Sequence, residues 1–168
     1  MRRILLLSDT HGYIDDAMCK HAEKADEIWH AGDIGTTHVY DRLNKIKPVR
    51  AVYGNIDGQE IRKICPLHQR FMCEKKKVWI THIGGYPPNY TSTLKAQLKL
   101  DRPGIFICGH SHILKVIYDK QLDVLHINPG AAGREGFHKV RTMIRFAIDE
   151  DNIKDMEIIE LGPRSASV

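Results

Sequence analysis

IFICGHSHILK, residues 105–115, runs through Ile105, Phe106, Ile107 and Cys108 without a polar break, stops at Gly109, and presents His110 and His112 one residue apart. A short, continuous apolar run closed by glycine is the pattern of a strand buried on both faces of an α/β sheet, because alternation is lost when neither face meets water. Two histidines at alternate positions can hold metal ions, or can be polar side chains at a strand end. The pair alone leaves both readings open.

The same pattern recurs on either side of it. RILLLSD (3–9), EIWHAGD (27–33), VRAVYGN (49–55), KVWITH (77–82), DVLHINPG (123–130), VRTMIRFAID (140–149) and IKDMEIIEL (153–161) are all rich in apolar and β-branched residues, and most are closed by Gly, Asp or Asn. Helical periodicity separates them at 14–25, 37–46 and 90–100. The first half therefore predicts strand, helix, strand, helix, strand, and the second half mainly strands.

Metal-capable side chains stand where the strands end. Asp9 and His11 follow the first run, Asp33 the second, Asn55 the third, His82 the fourth, and His110 and His112 the fifth, with glycines beside them. In α/β sheets ligands bind beyond the carboxyl ends of the strands, where residues remote in sequence converge. Each residue alone has an ordinary reading: Asp9 as a turn or capping residue, Asp33 as a turn former, His82 as a strand-end polar group. Seven donors together exceed one tetrahedral zinc. They suit two divalent ions sharing a carboxylate.

The order DTHG, GD, GN, an isolated strand-end histidine and GHSH resembles the calcineurin-like metallophosphoesterase superfamily. The opening ILLLSDTHG and INPGA at 127–131 are similar to its small single-domain branch, which includes phosphodiesterases and the retromer scaffold subunit. The resemblance covers roughly 1–161. It implies an α/β sandwich of two mixed β-sheets flanked by helices, with Asp9, His11 and His112 on a first metal, Asn55, His82 and His110 on a second, and Asp33 bridging them. The activity implied is hydrolysis of a small phosphodiester through a hydroxide shared by two divalent ions about 3.5–4 Å apart. The implied alternative is a non-catalytic scaffold or interaction module of the same fold. Nitrogen and oxygen donors without thiolate suit Mn²⁺, Zn²⁺, Fe²⁺, Co²⁺ or Ni²⁺, and the resemblance favours Mn²⁺.

One position departs from the superfamily pattern. Where many of its phosphatases read GNH, this chain has Ile56, which has no proton to donate to a leaving group. General acid catalysis is commonly worth about 10²–10⁴-fold, so alkyl monoesters are expected to be poor substrates and diesters with good leaving groups better ones. His30, His126 and His138 are the remaining histidines considered for the missing acid; His21, His38 and His68 are expected on the surface, and Asn128 as a turn former.

Length and composition agree with one domain. The chain has 168 residues, 42% hydrophobic and 27% charged, and a net charge of +4. One domain is expected over 1–161, with 162–168 as an unstructured tail. Cys19, Cys65, Cys73 and Cys108 show no C-x-x-C pairing and are expected to be reduced and structural. Ile4–Leu7 is too short for a signal-peptide core, so the opening reads as a first strand and the protein as cytoplasmic. No segment predicts a membrane span, and a homo-oligomer is compatible with the composition. Lys75–Lys77 is expected at a hairpin edge. Arg134, Lys139 and Arg141 flank a glycine-rich loop that would either be solvated or steer an anion. Nucleic acid is not expected, because no aromatic residues interleave the basic ones.

Overall fold

The computed structural model describes residues 1–165. Its elements in chain order are β1 (Arg2–Leu7), α1 (Asp16–Glu23), β2 (Glu27–His30), α2 (Thr37–Ile46), β3 (Val49–Ala51), α3 (Gln59–Ile64), β4 (His68–Cys73), β5 (Lys76–Thr81), α4 (Ser92–Asp101), β6 (Ile105–Ile107), β7 (Leu114–Asp119), β8 (Val124–Pro129), β9 (Val140–Asp149) and β10 (Asn152–Pro163). They form two five-stranded sheets, ordered β10-β9-β1-β2-β3 and β4-β5-β6-β8-β7. In the first, β1, β2 and β3 run parallel and β9 and β10 antiparallel. In the second, β5, β6 and β8 run parallel while the edges β4 and β7 are antiparallel.

Strand alternation explains the layers. On β1, Ile4 and Leu6 point into an apolar layer that also holds Trp29, Val52, Val78, Ile80, Ile105, Ile107, Ile127, Ile144 and Phe146, drawn from both sheets. Leu5 and Leu7 point the other way, onto Met18 and Ala22 of α1, Val39 and Leu43 of α2, and Ile61 of α3. Trp79, Phe106 and Val124 cover the outer face of the second sheet against Leu98 of α4. The order is helices, sheet, sheet, helix, and it accounts for LLL in β1, since both faces are buried. Truncating Leu7 to alanine in such a position costs about 2–5 kcal/mol.

The ten strands are two more than the eight runs read from the sequence. β4 and β7 were not anticipated because they are edges with one wetted face, and their sequences HQRFMC and LKVIYD lack an unbroken apolar run. The six-residue α3 is too short to show a period. The expected boundary at 161 is corrected: Gly162 and Pro163 pair with Arg141 and Val140, and the Arg164 N–H donates to the Lys139 carbonyl at 2.9 Å. Residues 166–168 of the expected tail lie outside the described residues. All four cysteines are free and buried, and burial pushes the Cys65 and Cys108 thiols up to about 12. Among the described residues, no helix is long and apolar enough to cross a membrane.

Candidate metal centre

The carboxyl ends of β1, β2 and β3 in one sheet and of β5 and β6 in the other open on the same edge of the sandwich. The loops leaving them are tied together by backbone hydrogen bonds. Asp9 N–H donates to Gly32 O at 2.9 Å, His11 N–H to Asp33 O at 3.0 Å, and Gly109 N–H to His82 O at 3.0 Å. All seven residues predicted from sequence meet here. Asp9, His11 and His112 form one group whose donor atoms lie within 4.8 Å of one another, and Asp33, His82 and His110 form a second. Asn55 Oδ1 lies 3.0 Å from both His82 Nε2 and His110 Nδ1, which places it in the second group. Asp33 Oδ2 stands between the groups, 3.6 Å from His11 Nε2 and 3.2 Å from His82 Nε2.

The local backbone is arranged to aim these side chains. Asp9, His11, Asp33, His110 and His112 all have φ between 45° and 68°. Non-glycine residues rarely adopt this left-handed region, and its cost is tolerated where surrounding structure over-determines the geometry. Two glycines make room. A Cβ on Gly54 would lie 2.0 Å from Asp33 Oδ1, and one on Gly109 would lie 2.6 Å from Asp9 Oδ2.

Hydrogen bonds then fix the free faces of several of these side chains. His82 Nδ1 is 2.7 Å from the Ala31 carbonyl, which only accepts, so Nδ1 carries the proton and Nε2 is turned toward the oxygens of Asn55 and Asp33. Asp9 Oδ2 accepts from the Ser8 hydroxyl at 2.6 Å and from His110 N–H at 3.1 Å. Asp33 Oδ1 accepts from Ile56 N–H at 3.1 Å. The other oxygen of Asp9, Oδ1, and His11 Nε2 are buried and have no hydrogen-bond partner. At 3.8 Å they are too far apart to satisfy one another. Unpaired buried polar atoms are rare in native structures; here both belong to one group of residues that could hold a metal ion.

The electrostatics agree. Burial opposes ionisation of Asp9, yet the imidazoles of His11, His112 and His82 hold its carboxyl well below the usual carboxylate range. Burial opposes Asp33 in the same way and is outweighed by His82 and the Ile56 amide. Asp9 raises the His11 pKa, and Asp33 and Asp9 raise that of His82 against its burial.

Several supporting residues carry no signal in the sequence reading. Asp57 accepts N–H bonds from Ile34 (3.1 Å), Gly35 (2.8 Å) and Gly54 (2.8 Å), locking the loops after β2 and β3 together. Asn128 turns the chain by accepting from Gly130 N–H, and it also donates to Gly109 O at 3.0 Å, bracing the histidine loop. The histidines considered for the missing acid are engaged elsewhere. His30 bonds Thr10 Oγ1 and Gly32 N, His126 lies fully buried between Tyr90 and Cys108, and His138 lies against His112. Burial pushes His30 and His126 down to about 4. Arg141, expected on a solvated or steering loop, is instead buried. It donates to Ala132 O at 2.8 Å and to Asp15 at 3.0 Å. His68, expected on the surface, is half-buried on β4, where Nδ1 accepts from the Trp79 indole at 3.3 Å.

The fold and this donor set are those expected of the metallophosphoesterase class. The profile of the calcineurin-like phosphoesterase superfamily domain matches residues 1–151, and the chain belongs to that superfamily. A probable metallophosphoesterase of Methanothermobacter thermautotrophicus is 28% identical over 94% of this chain and 91% of its own length. Among solved structures, Vps29 of Entamoeba histolytica complexed with Zn²⁺ superimposes with a TM-score of 0.74 at 16% identity, covering 94% of this chain and 98% of that one. A novel archaeal phosphodiesterase superimposes with a TM-score of 0.71 at 23% identity, covering 95% and 99%. The two-sheet α/β sandwich expected from the sequence is the fold these structures share.

Proposed function

We propose that this chain is a two-metal phosphodiesterase acting on a small phosphodiester with a good leaving group. The observation that carries the reading is the pair of adjacent donor groups sharing Asp33, with Asp9 Oδ1 and His11 Nε2 left unpartnered inside them. Asp9, His11 and His112 would hold one divalent ion, Asn55, His82 and His110 the other, and Asp33 both. Bound there, the ions supply charge neutralisation on the phosphate and an activated water. Mn²⁺ is the working choice; the Zn²⁺ in the Entamoeba Vps29 structure makes zinc the next to test.

The chain's own residues shape the rest. The Ala31 carbonyl orients His82, and the Ser8 hydroxyl and His110 amide fix one oxygen of Asp9, leaving the other for metal. Ile56, 48% exposed beside Asn55, stands where the family resemblance would put the histidine that protonates a leaving oxygen. With no proton supplied there, the leaving group has to be stable as an anion, which favours aryl over alkyl esters.

A second reading, a non-catalytic interaction module, is favoured by one feature. Ile56, Ile83, Ile113 and Phe137 each adjoin Asn55, His82, His112 or His138 in the chain, and all four are exposed, Phe137 completely. The deciding experiment is hydrolysis of an aryl phosphodiester by chelator-stripped protein with and without Mn²⁺, beside Asp33→Asn. Metal-dependent turnover lost in the variant supports the enzyme. Metal uptake without turnover overturns it in favour of the interaction module.

A further inference from the structure

The superfamily's metal ligands leave His138 without a role, yet it sits directly behind one of them. His138 Nε2 lies 2.9 Å from the Gly133 carbonyl. A carbonyl oxygen only accepts, so Nε2 carries the proton and, in the neutral ring, Nδ1 is a lone pair. That lone pair faces His112 Nδ1 at 3.3 Å, with the rings edge-to-face and 5.1 Å apart. For the contact to be a hydrogen bond, His112 Nδ1 must be the donor. His112 Nε2 is then unprotonated, and it lies 3.1 Å from Asp9 Oδ1, an oxygen that has no hydrogen-bond partner. Both residues belong to the first group of donors that could hold a metal ion.

The chain is built closely around this arrangement. A Cβ on Gly136 would lie 2.2 Å from His112 Nδ1 and 3.2 Å from His138 Nδ1, so the backbone at 136 packs directly on the contact. Gly133 also donates its N–H to the Asp9 backbone carbonyl at 3.1 Å, which joins the same loop to the β1 end that carries the Asp9 side chain. Metal-bound histidines commonly donate their second N–H to a carboxylate or carbonyl, and such partners are worth about 10–100-fold in metal affinity. His82 follows that habit with Ala31 O. His112 leans on another imidazole.

We propose that His138 is a positioning residue: by accepting from His112 Nδ1–H while donating to Gly133 O, it fixes His112 in the tautomer that presents Nε2 to the first metal. The proposal rests on the two-metal reading above, but its first half concerns metal-free protein and is tested separately. Nitrogen-15 spectra of metal-free protein, at alkaline pH where imidazoles are neutral, should show His112 as the Nδ1–H and His138 as the Nε2–H tautomer. His138→Phe keeps the ring and removes both hydrogen bonds. It should release His112 toward a mixture of tautomers and weaken Mn²⁺ binding at the Asp9, His11 and His112 group, read by calorimetry, by about 10–100-fold. His138→Gln, which retains an acceptor and a donor, should recover most of that loss. An Nε2–H tautomer for His112 in the wild type, or unchanged Mn²⁺ affinity in the Phe variant, overturns the proposal. Wild-type protein with the predicted tautomers that takes up no Mn²⁺ overturns the metal reading instead, and with it the proposal's second half.

Discussion

In one half of the centre Asp9 is completely buried and His112 is backed by His138; in the other, His82 is backed by the Ala31 carbonyl while His110 stands exposed. The second half also depends on an uncharged ligand, Asn55, and shares its carboxylate, Asp33, with the first. A buried carboxylate of its own and a braced imidazole give the first half more fixed negative charge and less freedom. Affinity in a metal site depends on both, because ligand charge attracts the ion and pre-orientation spares the entropy of ordering the ligands. The halves are therefore expected to fill in sequence, the Asp9 half first.

The largest predicted effect comes from removing the carboxylate common to both halves from its place. Gly54→Ala puts a methyl 2.0 Å from Asp33 Oδ1 and 2.4 Å from its backbone nitrogen, so no side-chain rotation relieves the clash. Aryl-diester turnover should fall by more than about 100-fold, the upper range for groups that merely support a ligand. Gly58→Ala meets nothing within 4 Å and should retain activity, which separates this steric effect from a general loss of glycine. Equal activity in the two variants would mean that the placement of Asp33 is unimportant.

The next effect is a gain. Ile56→His restores a proton donor beside the second half, and kcat/KM for an alkyl phosphomonoester should rise by about 10²-fold, the lower range for general acid catalysis. No change would show that something other than Ile56 limits such substrates.

A smaller contrast tests the asymmetry itself. His112→Ala should weaken the tighter Mn²⁺ site, and His110→Ala the weaker one, with the tighter affinity differing between the two variants by about tenfold. Identical binding curves would show the halves to be equivalent.

The mildest effect is on stability. His11 and His82 have raised pKa values, so their contribution is complete below about pH 6.5, the unfolded value, and is lost as pH rises through their folded values. Asp9 and Asp33 are depressed, so theirs is present above about pH 3.8 and is lost as pH falls through their folded values. Thermal melts of metal-free protein should thus decline as pH rises above neutrality, and saturating Mn²⁺ should remove that decline by replacing the protons. A pH-independent melt without metal would show that the paired charges contribute nothing measurable.

How legible this was in the sequence differs between regions. The buried strands β1, β2, β5, β6 and β8 announced themselves because both their faces are apolar, whereas β4 and β7 expose one face and carry mixed residues. That the seven candidate residues would meet was legible because they follow the ends of strand runs. Asp57, which holds three amides between two loops, was not, since an aspartate in a turn looks the same whether it is solvated or bridging. Arg141 misled for the same reason. A basic residue flanking a glycine-rich loop reads as solvated until Asp15, 126 positions away in the chain, is brought against it.

The sequence by itself determined the α/β class and put seven candidate donors at strand ends, because strand burial and residue type are local properties; that Ile56 stands in place of an acid is what the family resemblance implies. Only the tertiary structure decided that Asp33 stands between the two groups, that Asp9 Oδ1 and His11 Nε2 lack partners, and that His138 backs His112. Those are relations across two sheets, and they arise when the inter-sheet layer of Ile4, Leu6, Ile80 and Ile107 brings the ends of the parallel strands to one edge.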